Sequence, residues 1–320
     1  MNTEFNSFAS MLTALPTDTA CREYLELRRW NGTPVCPHCG VADAKHYKLN
    51  VKGEFKGMYK CKSCKERFTV TLGTMFEGSP ISLRKWFIAT YIFASHKKGI
   101  SSHQLARDLG VTQKTAWFML HRLRFALGTG SFEMPKTGGG GEVVEVDEKY
   151  VGGQAENKHA SKRIKGAQSA LDKACVVGVL NRETGASTVV LQPQITGQER
   201  TQSIKNVVFN LVDPKATLIT DSHNAYKTIN TVYPNHIKVK LNGSYVTDKH
   251  FHTNNIEGFW SLLGRSILGI YHQVSARHLQ AYCDESSYRY NTRKMNEGNR
   301  VALTVSKSNV RLTYNALIAK

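Results

Sequence analysis

Three carboxylates and four thiols stand in this sequence where chemistry would need them. Asp147 follows Val143-Val144-Glu145-Val146, Asp221 follows the apolar run Leu218-Ile219-Thr220, and Glu257 lies within Thr253-Asn254-Asn255-Ile256-Glu257-Gly258-Phe259-Trp260. The ends of strands in α/β sheets are where sites are built, so two aspartates leaving neighbouring strands can converge on one point. Thr253 or Asn254 can cap a helix that carries Glu257 in its first turn. Three carboxylates suit hard, oxygen-seeking Mg2+ or Mn2+, and two such ions about 4 Å apart activate an attacking oxygen and stabilise a leaving one. Glu148 is held in reserve: adjacent residues of a continuing strand face opposite ways, so Asp147 is the one expected to face the site. Taken singly, each acid would more often be a cap or a surface charge; the combination points to a divalent-metal site.

The thiols form two knuckles, Cys36-Pro37-His38-Cys39 and Cys61-Lys62-Ser63-Cys64, with 21 residues between them. Two Cys-x-x-Cys pairs supply the four sulfur ligands of a closed structural Zn2+ site, whereas a redox motif needs only one. Cys36, Cys39, Cys61 and Cys64 are therefore the zinc ligands, and His38 faces solvent. Cys21 has no partner at ligand spacing and reads as a packed apolar residue. Lys48, Lys52, Lys56, Lys60, Lys62, Lys65 and Arg67 interleave with Tyr47, Phe55, Tyr59 and Phe68. That pattern suits phosphate contact, and equally a solvated face.

These groups must be positioned by distinct elements. Asp18 to Trp30 predicts a helix capped by Thr17 or Asp18 and stopped by Asn31-Gly32, and Ser82 to His96 predicts another, with Trp86, Phe87, Thr90 and Phe93 as core. Ser101 to Trp117 has the layout of a helix-turn-helix: Ser101 or Ser102 caps the first helix, Gly110 turns and Thr112 caps the second. The start of that second helix nominates Gln113, Lys114 and Thr115 for DNA contact, with His121, Arg122 and Arg124 continuing a basic face. An ordinary helical hairpin would have the same spacing. Thr137-Gly138-Gly139-Gly140-Gly141 predicts a flexible linker or hinge. Beyond it come strands at 142–146, 174–180 and 186–191, a helix at 198–211, a strand at 216–220, a helix from Ser222, a short strand at 237–239, and helices from Asn254 and Ser275, a mixed-sheet α/β order.

The chain of 320 residues carries 43 Lys plus Arg against 25 Asp plus Glu, a formal net charge of +18. That balance favours a polyanion such as nucleic acid. No stretch approaches a membrane span and the start carries no secretory pattern, so a cytoplasmic protein with no membrane partner is expected. An odd count of seven cysteines argues for metal plus reduced thiols. The expected organisation is an N-terminal helix and zinc ribbon at 1–76, a helical DNA-binding domain at 77–130, a Gly-rich linker at 131–141, an α/β domain at 142–298 and a tail at 299–320.

Asp147 followed by Tyr150-Val151-Gly152-Gly153, Thr220-Asp221-Ser222-His223, and Asn254 to Trp260 followed by Tyr271-His272 resemble the catalytic blocks of the insertion-sequence transposases with an N-terminal zinc ribbon. The resemblance runs in the family's order from Cys21 to Asn291. It implies a ribonuclease H-like catalytic domain and an Asp-Asp-Glu site of Asp147, Asp221 and Glu257, which would cut element ends and join them to target DNA. Many members have Lys seven residues after the glutamate; here that place is Gly264, and the adjacent Arg265 is the candidate phosphate ligand. A Glu-Arg pairing in the following helix fits Glu285 and Arg289, the third place being Thr292. Lys158, Lys162 and Arg163 are expected to hold DNA backbone or to sit on a surface loop. A homo-oligomer on DNA is expected. A DNA-binding regulator without catalysis and a nuclease of the same fold remain the alternatives.

Overall fold

The computed structural model describes residues 5–128, 136–152, 173–192, 197–239 and 251–319. Lys158, Lys162 and Arg163 lie outside them. The chain divides into two units, Met1–Thr129 with Lys294–Lys320, and Gly130–Arg293. No helix among the described residues is long and apolar enough to cross a membrane.

In the first unit, α1 (Phe8–Ala14) precedes α2 (Asp18–Trp30), where the Thr17 hydroxyl accepts from the Ala20 N–H and left-handed Asn31 ends the helix. Cys21 is fully buried on it. Trp30 then meets Tyr59 and Phe68 edge-on, with ring centroids 5.6 and 5.8 Å away, which seats α2 on the small antiparallel sheet β1 (Tyr47–Val51), β2 (Glu54–Lys60) and β3 (Arg67–Phe68). Trp86, Phe87, Thr90 and Phe93 are buried along α3 (Leu83–Ser95). Next come α4 (Ser102–Leu109) and α5 (Gln113–Gly128), joined through left-handed Gly110.

The last segment, expected as a tail, folds into this first unit. It forms α9 (Glu297–Ser306) and α10 (Tyr314–Ile318), numbered after the helices of the second unit in chain order. Val301 and Val305, four residues apart, make a buried stripe, and Arg300 donates to the Ala94 carbonyl at 3.0 Å. Arg122 corrects an expectation: it is not on a basic DNA face. It is 6% exposed, and its guanidinium donates to the carbonyls of Met75, Glu77 and Leu312 at 3.0, 3.0 and 3.1 Å. His121 and Arg124 are buried as well. The rigid, multi-donor Arg fork suits such carbonyl stapling, and the helix turns these residues inward with Leu120 and Leu123.

The second unit is a five-stranded sheet of β4 (Val143–Val151), β5 (Ala174–Asn181), β6 (Ser187–Leu191), β7 (Thr217–Thr220) and β8 (His236–Lys238), in the order β6-β5-β4-β7-β8. The first three strands pair antiparallel, while β4 with β7 and β7 with β8 pair parallel. This mixed sheet is consistent with a ribonuclease H-like domain. Val144, Val146, Val177, Val179 and Leu218 pack under α6 (Gly197–Leu211), and Val176, Leu180 and Val189 pack under α7 (Asn254–Ser266) and α8 (Ala276–Asn291). The outer edge of β6 is closed by amides of α8: Gln280 bonds Leu191 N–H and Val189 carbonyl, and Asn291 bonds Ser187 through both.

Two local expectations change. The glycine run is not a free linker over residues 136–141, because Thr137 bridges to Val212 and Gly138, at φ +89°, packs where a Cβ would meet Ala216 Cβ at 2.5 Å. Instead of a helix from Ser222 there are two 3-10 turns, Asn224–Tyr226 and Ile229–Thr231. Asp221 and His223 take the N–H groups of His223 and Ala225, and such local bonds compete with a helix.

Candidate active site

Strand β4 runs to Val151, five residues beyond its expected end, but its pairing with β7 stops at Val146 opposite Thr220. From Asp147 onward β4 has β5 on one side and, among the described residues, no strand on the other. Asp221 leaves β7 at that edge. Asp147, Glu148 and Asp221 each bring a carboxylate oxygen to within 4.8 Å of the others. Strand alternation is obeyed, since Asp147 accepts from the Trp260 indole N–H of α7 at 2.9 Å while Glu148 accepts from the Tyr226 hydroxyl on the opposite face at 2.8 Å. Glu148, expected to face away, joins the cluster because side chains from both faces can reach round an edge that no strand among the described residues covers.

The crowding shows in the protonation of these groups. Burial pushes Asp147 up to about 7, with Glu148 and then Asp221 adding repulsion against the lowering by Trp260. Asp221 is also raised, chiefly by burial. His223 lies 3.0 Å from Glu148, and its bond to that carboxylate raises it. All these atoms are carboxylate oxygens converging on one point, a donor set that fits a hard divalent cation.

Glu257 is in the first turn of α7, half-buried, and accepts from the Thr253 hydroxyl at 2.9 Å. It is not among the oxygens within 4.8 Å, although Trp260, one turn along, is the residue that meets Asp147. The indole packs close against the sheet because Gly178, paired with Asp147, has no side chain; a Cβ there would stand 2.7 Å from the ring. Arg265 is exposed, and Glu285 pairs with Arg289 at 2.5 Å as the helix spacing predicts. Glu145 and Arg182, 2.5 Å apart, were not singled out from the sequence; the signal was an acid at a position whose strand neighbours are all apolar.

In the first unit the knuckles close into one cluster, with Cys36 and Cys64 sulfurs 3.7 Å apart and Cys39 and Cys61 3.6 Å apart. A tetrahedron with Zn–S bonds of about 2.3 Å has edges of about 3.8 Å, so the four sulfurs fit zinc. Burial raises Cys61, but the N–H groups of Cys64 and Ser63 and the bonds from Cys64 and Cys39 outweigh it and draw it down to about 6. Gln113 and Lys114 are exposed at the start of α5; Gln113 donates to Ser102 at 2.8 Å, and Lys114 lies 4.9 Å from the Tyr314 ring centre. Thr115 is half-buried with its hydroxyl 2.9 Å from that of Thr112.

Known proteins match both units. Residues 139–291 match the ISXO2-like transposase domain and residues 16–67 the transposase zinc-ribbon domain. A protein of transposable element ISH50 from Halobacterium salinarum, of uncharacterised role, is 28% identical over 266 residues, covering 79% of this chain and 84% of that one. A chain in the structure of the simian T-cell lymphotropic virus intasome with PP2A regulatory subunit B56 gamma overlaps at 10% identity. That overlap covers 64% of each chain with a TM-score of 0.27, too low to bear on fold or function. From its two matched domains and its transposable-element relative, the chain belongs to the insertion-sequence transposases that carry a zinc ribbon before a DDE-type transposase domain.

Proposed function

We propose that this transposase binds the ends of its element and cuts and joins DNA at the open edge of β4, with Asp147, Asp221 and Glu257 as catalytic carboxylates. The observation that supports the reading is the convergence of Asp147 and Asp221 where β7 ends, beside the helix that carries Glu257. Mg2+ or Mn2+ held there would neutralise phosphate charge and activate the attacking oxygen. The chain's own part is positioning. Trp260 fixes Asp147, the His223 N–H fixes Asp221 at 2.8 Å, and Glu257 exchanges its bond to Thr253 for the site by rotating its side chain. Water attacks the phosphodiester at the element end, a P–O bond breaks, and the freed 3′ hydroxyl attacks a phosphate of target DNA in line, with no covalent enzyme intermediate.

End recognition belongs, in this reading, to the zinc ribbon and to α4–α5 acting as a helix-turn-helix, with Gln113, Lys114 and Thr115 in the major groove. Its support is the Ser101 cap, the left-handed Gly110 turn and the buried Leu105, Ala106 and Leu109. Arg265, with Lys158, Lys162 and Arg163, holds DNA backbone. Two ends call for a homo-oligomer on DNA, in the cytoplasm where the DNA is. Asp147→Asn, Asp221→Asn and Glu257→Gln should each abolish cleavage and strand transfer while end binding persists; an Asp221→Asn protein that still cuts overturns the assignment. Cleavage without strand transfer in the unaltered protein would mark a nuclease, and neither would mark a regulator.

A further inference from the structure

We infer that Glu145 is a positioning residue, a buried carboxylate that fixes the first turn of α7 on β4 and so sets the place of Glu257. The inference rests on the reading of Glu257 as catalytic. Glu145 is fully buried and lies two residues before Asp147, on the same face of the strand. One of its oxygens accepts the backbone N–H of Ile256 at 2.9 Å; the other accepts from Asn255 Nδ2 at 2.8 Å and Arg182 Nε at 2.5 Å. Arg182 also donates to the His252 carbonyl.

The helix start needs this help from outside. The cap residue of α7, Thr253, makes no capping bond with its side chain; its hydroxyl donates to Glu257 instead. The unpaired N–H groups of a first turn must find acceptors elsewhere, and an anion there is favoured by the helix dipole. Glu145 supplies both. A buried charge is costly unless paired and hydrogen-bonded, and here Arg182 and two donors from α7 meet that condition.

The same helix is tied to the same strand a second time, by Trp260 to Asp147. Two residues along a strand advance about 6.7 Å and four along a helix about 6 Å, so the two bonds form in register when helix and strand run alongside one another. The residues held by Glu145, Asn255 and Ile256, immediately precede Glu257. An error of about 1 Å in such a group can cost about 100-fold in rate.

The test is a calorimetric manganese titration of the full chain, with end-DNA affinity and cleavage turnover measured beside it. Glu145→Gln puts an amide donor against donors and removes the charge of the Glu145–Arg182 pair. The manganese concentration for half-saturation should rise about 10- to 100-fold, with turnover falling and end-DNA affinity unchanged. Glu257→Gln should show the same loss, and the double variant should bind manganese no more weakly than Glu257→Gln alone. A merely structural role would lower the melting temperature while leaving the manganese midpoint in place. Unchanged manganese binding in Glu145→Gln, or a further loss in the double variant, overturns the inference. Glu257→Gln that binds manganese and cuts like the unaltered protein instead overturns the underlying reading. Should Glu145→Gln fail to fold, Asn255→Ala removes one bond from an exposed residue and must show a smaller loss in the same direction; no loss there overturns the inference.

Discussion

Replacing Asp147 by Asn should make the metal-free protein more stable at neutral pH even as it removes activity. The aspartate is raised from 3.8 to about 7 by burial, then by Glu148 and Asp221. Ionising such a group in place costs up to about 4 kcal/mol more than ionising it in the unfolded chain, at about 1.4 kcal/mol per pH unit. The sign follows from which state releases its proton first. Below about pH 4 both states are protonated and nothing is lost. Between pH 4 and about 7 the unfolded chain ionises and the folded chain does not, so stability falls with rising pH; above about 7 the loss is complete. Asn carries no such charge, so its advantage should grow from nothing at pH 4 to its full size at pH 8. The assay is scanning calorimetry in EDTA across that range, following the transition of the second unit, identified as the one that manganese shifts in the unaltered protein. Parallel stability profiles for the two proteins, or an Asn variant less stable at pH 8, would refute the reasoning.

Cys36→Ser or Cys61→Ser should release bound zinc and unfold the ribbon, read as lost zinc stoichiometry and lost protection of β1–β3 from hydrogen exchange. Arg122→Ala should lower the stability of the first unit by about 2 kcal/mol or more by stranding three carbonyls, without altering the salt dependence of end binding, whereas Lys114→Ala should reduce that salt slope by about one; the reverse pattern would restore Arg122 to the DNA face. Gly178→Ala should push the Trp260 ring from Asp147, at a cost of about 1–3 kcal/mol, and slow cleavage; normal turnover would show that the indole contact does not matter.

What could be read from the sequence was whatever rests on local spacing. The knuckles, the Thr17 and Ser101 caps, the buried stripe of α3 and the Glu285–Arg289 pair all depend on residues within a turn or two of each other. What could not be read depends on partners far along the chain. Arg122 looks like one more base on a helix until the carbonyls of Met75, Glu77 and Leu312 are placed around it. Gly138 looks like linker until Ala216 lies against it. Residues 299–320 have too short an apolar stripe to reveal that it packs on α3, and the continuation of β4 past Val146 is written in its pairing with β5, as no run of apolar residues marks it.

The same non-local fact explains why the site is where it is. Along β4, even positions serve one face: Val144 and Val146 enter the core beneath α6, and Glu148 reaches Tyr226. Odd positions serve the other, with Glu145 binding the start of α7 and Asp147 binding Trp260. While a neighbouring strand covers the edge, that alternation keeps the two sets apart. It stops separating them only where β7 ends at Thr220, and there acids from both faces and from the departing strand meet. The length of β7 thus fixes the position of the acid cluster: one more residue pair with β4 would cover the edge beside Asp147 and put the sheet between it and Glu148. The repulsion among these acids destabilises the folded chain, and a bound cation would offset it, so the feature that costs stability is the one that would suit the edge to the metal the proposed function calls for.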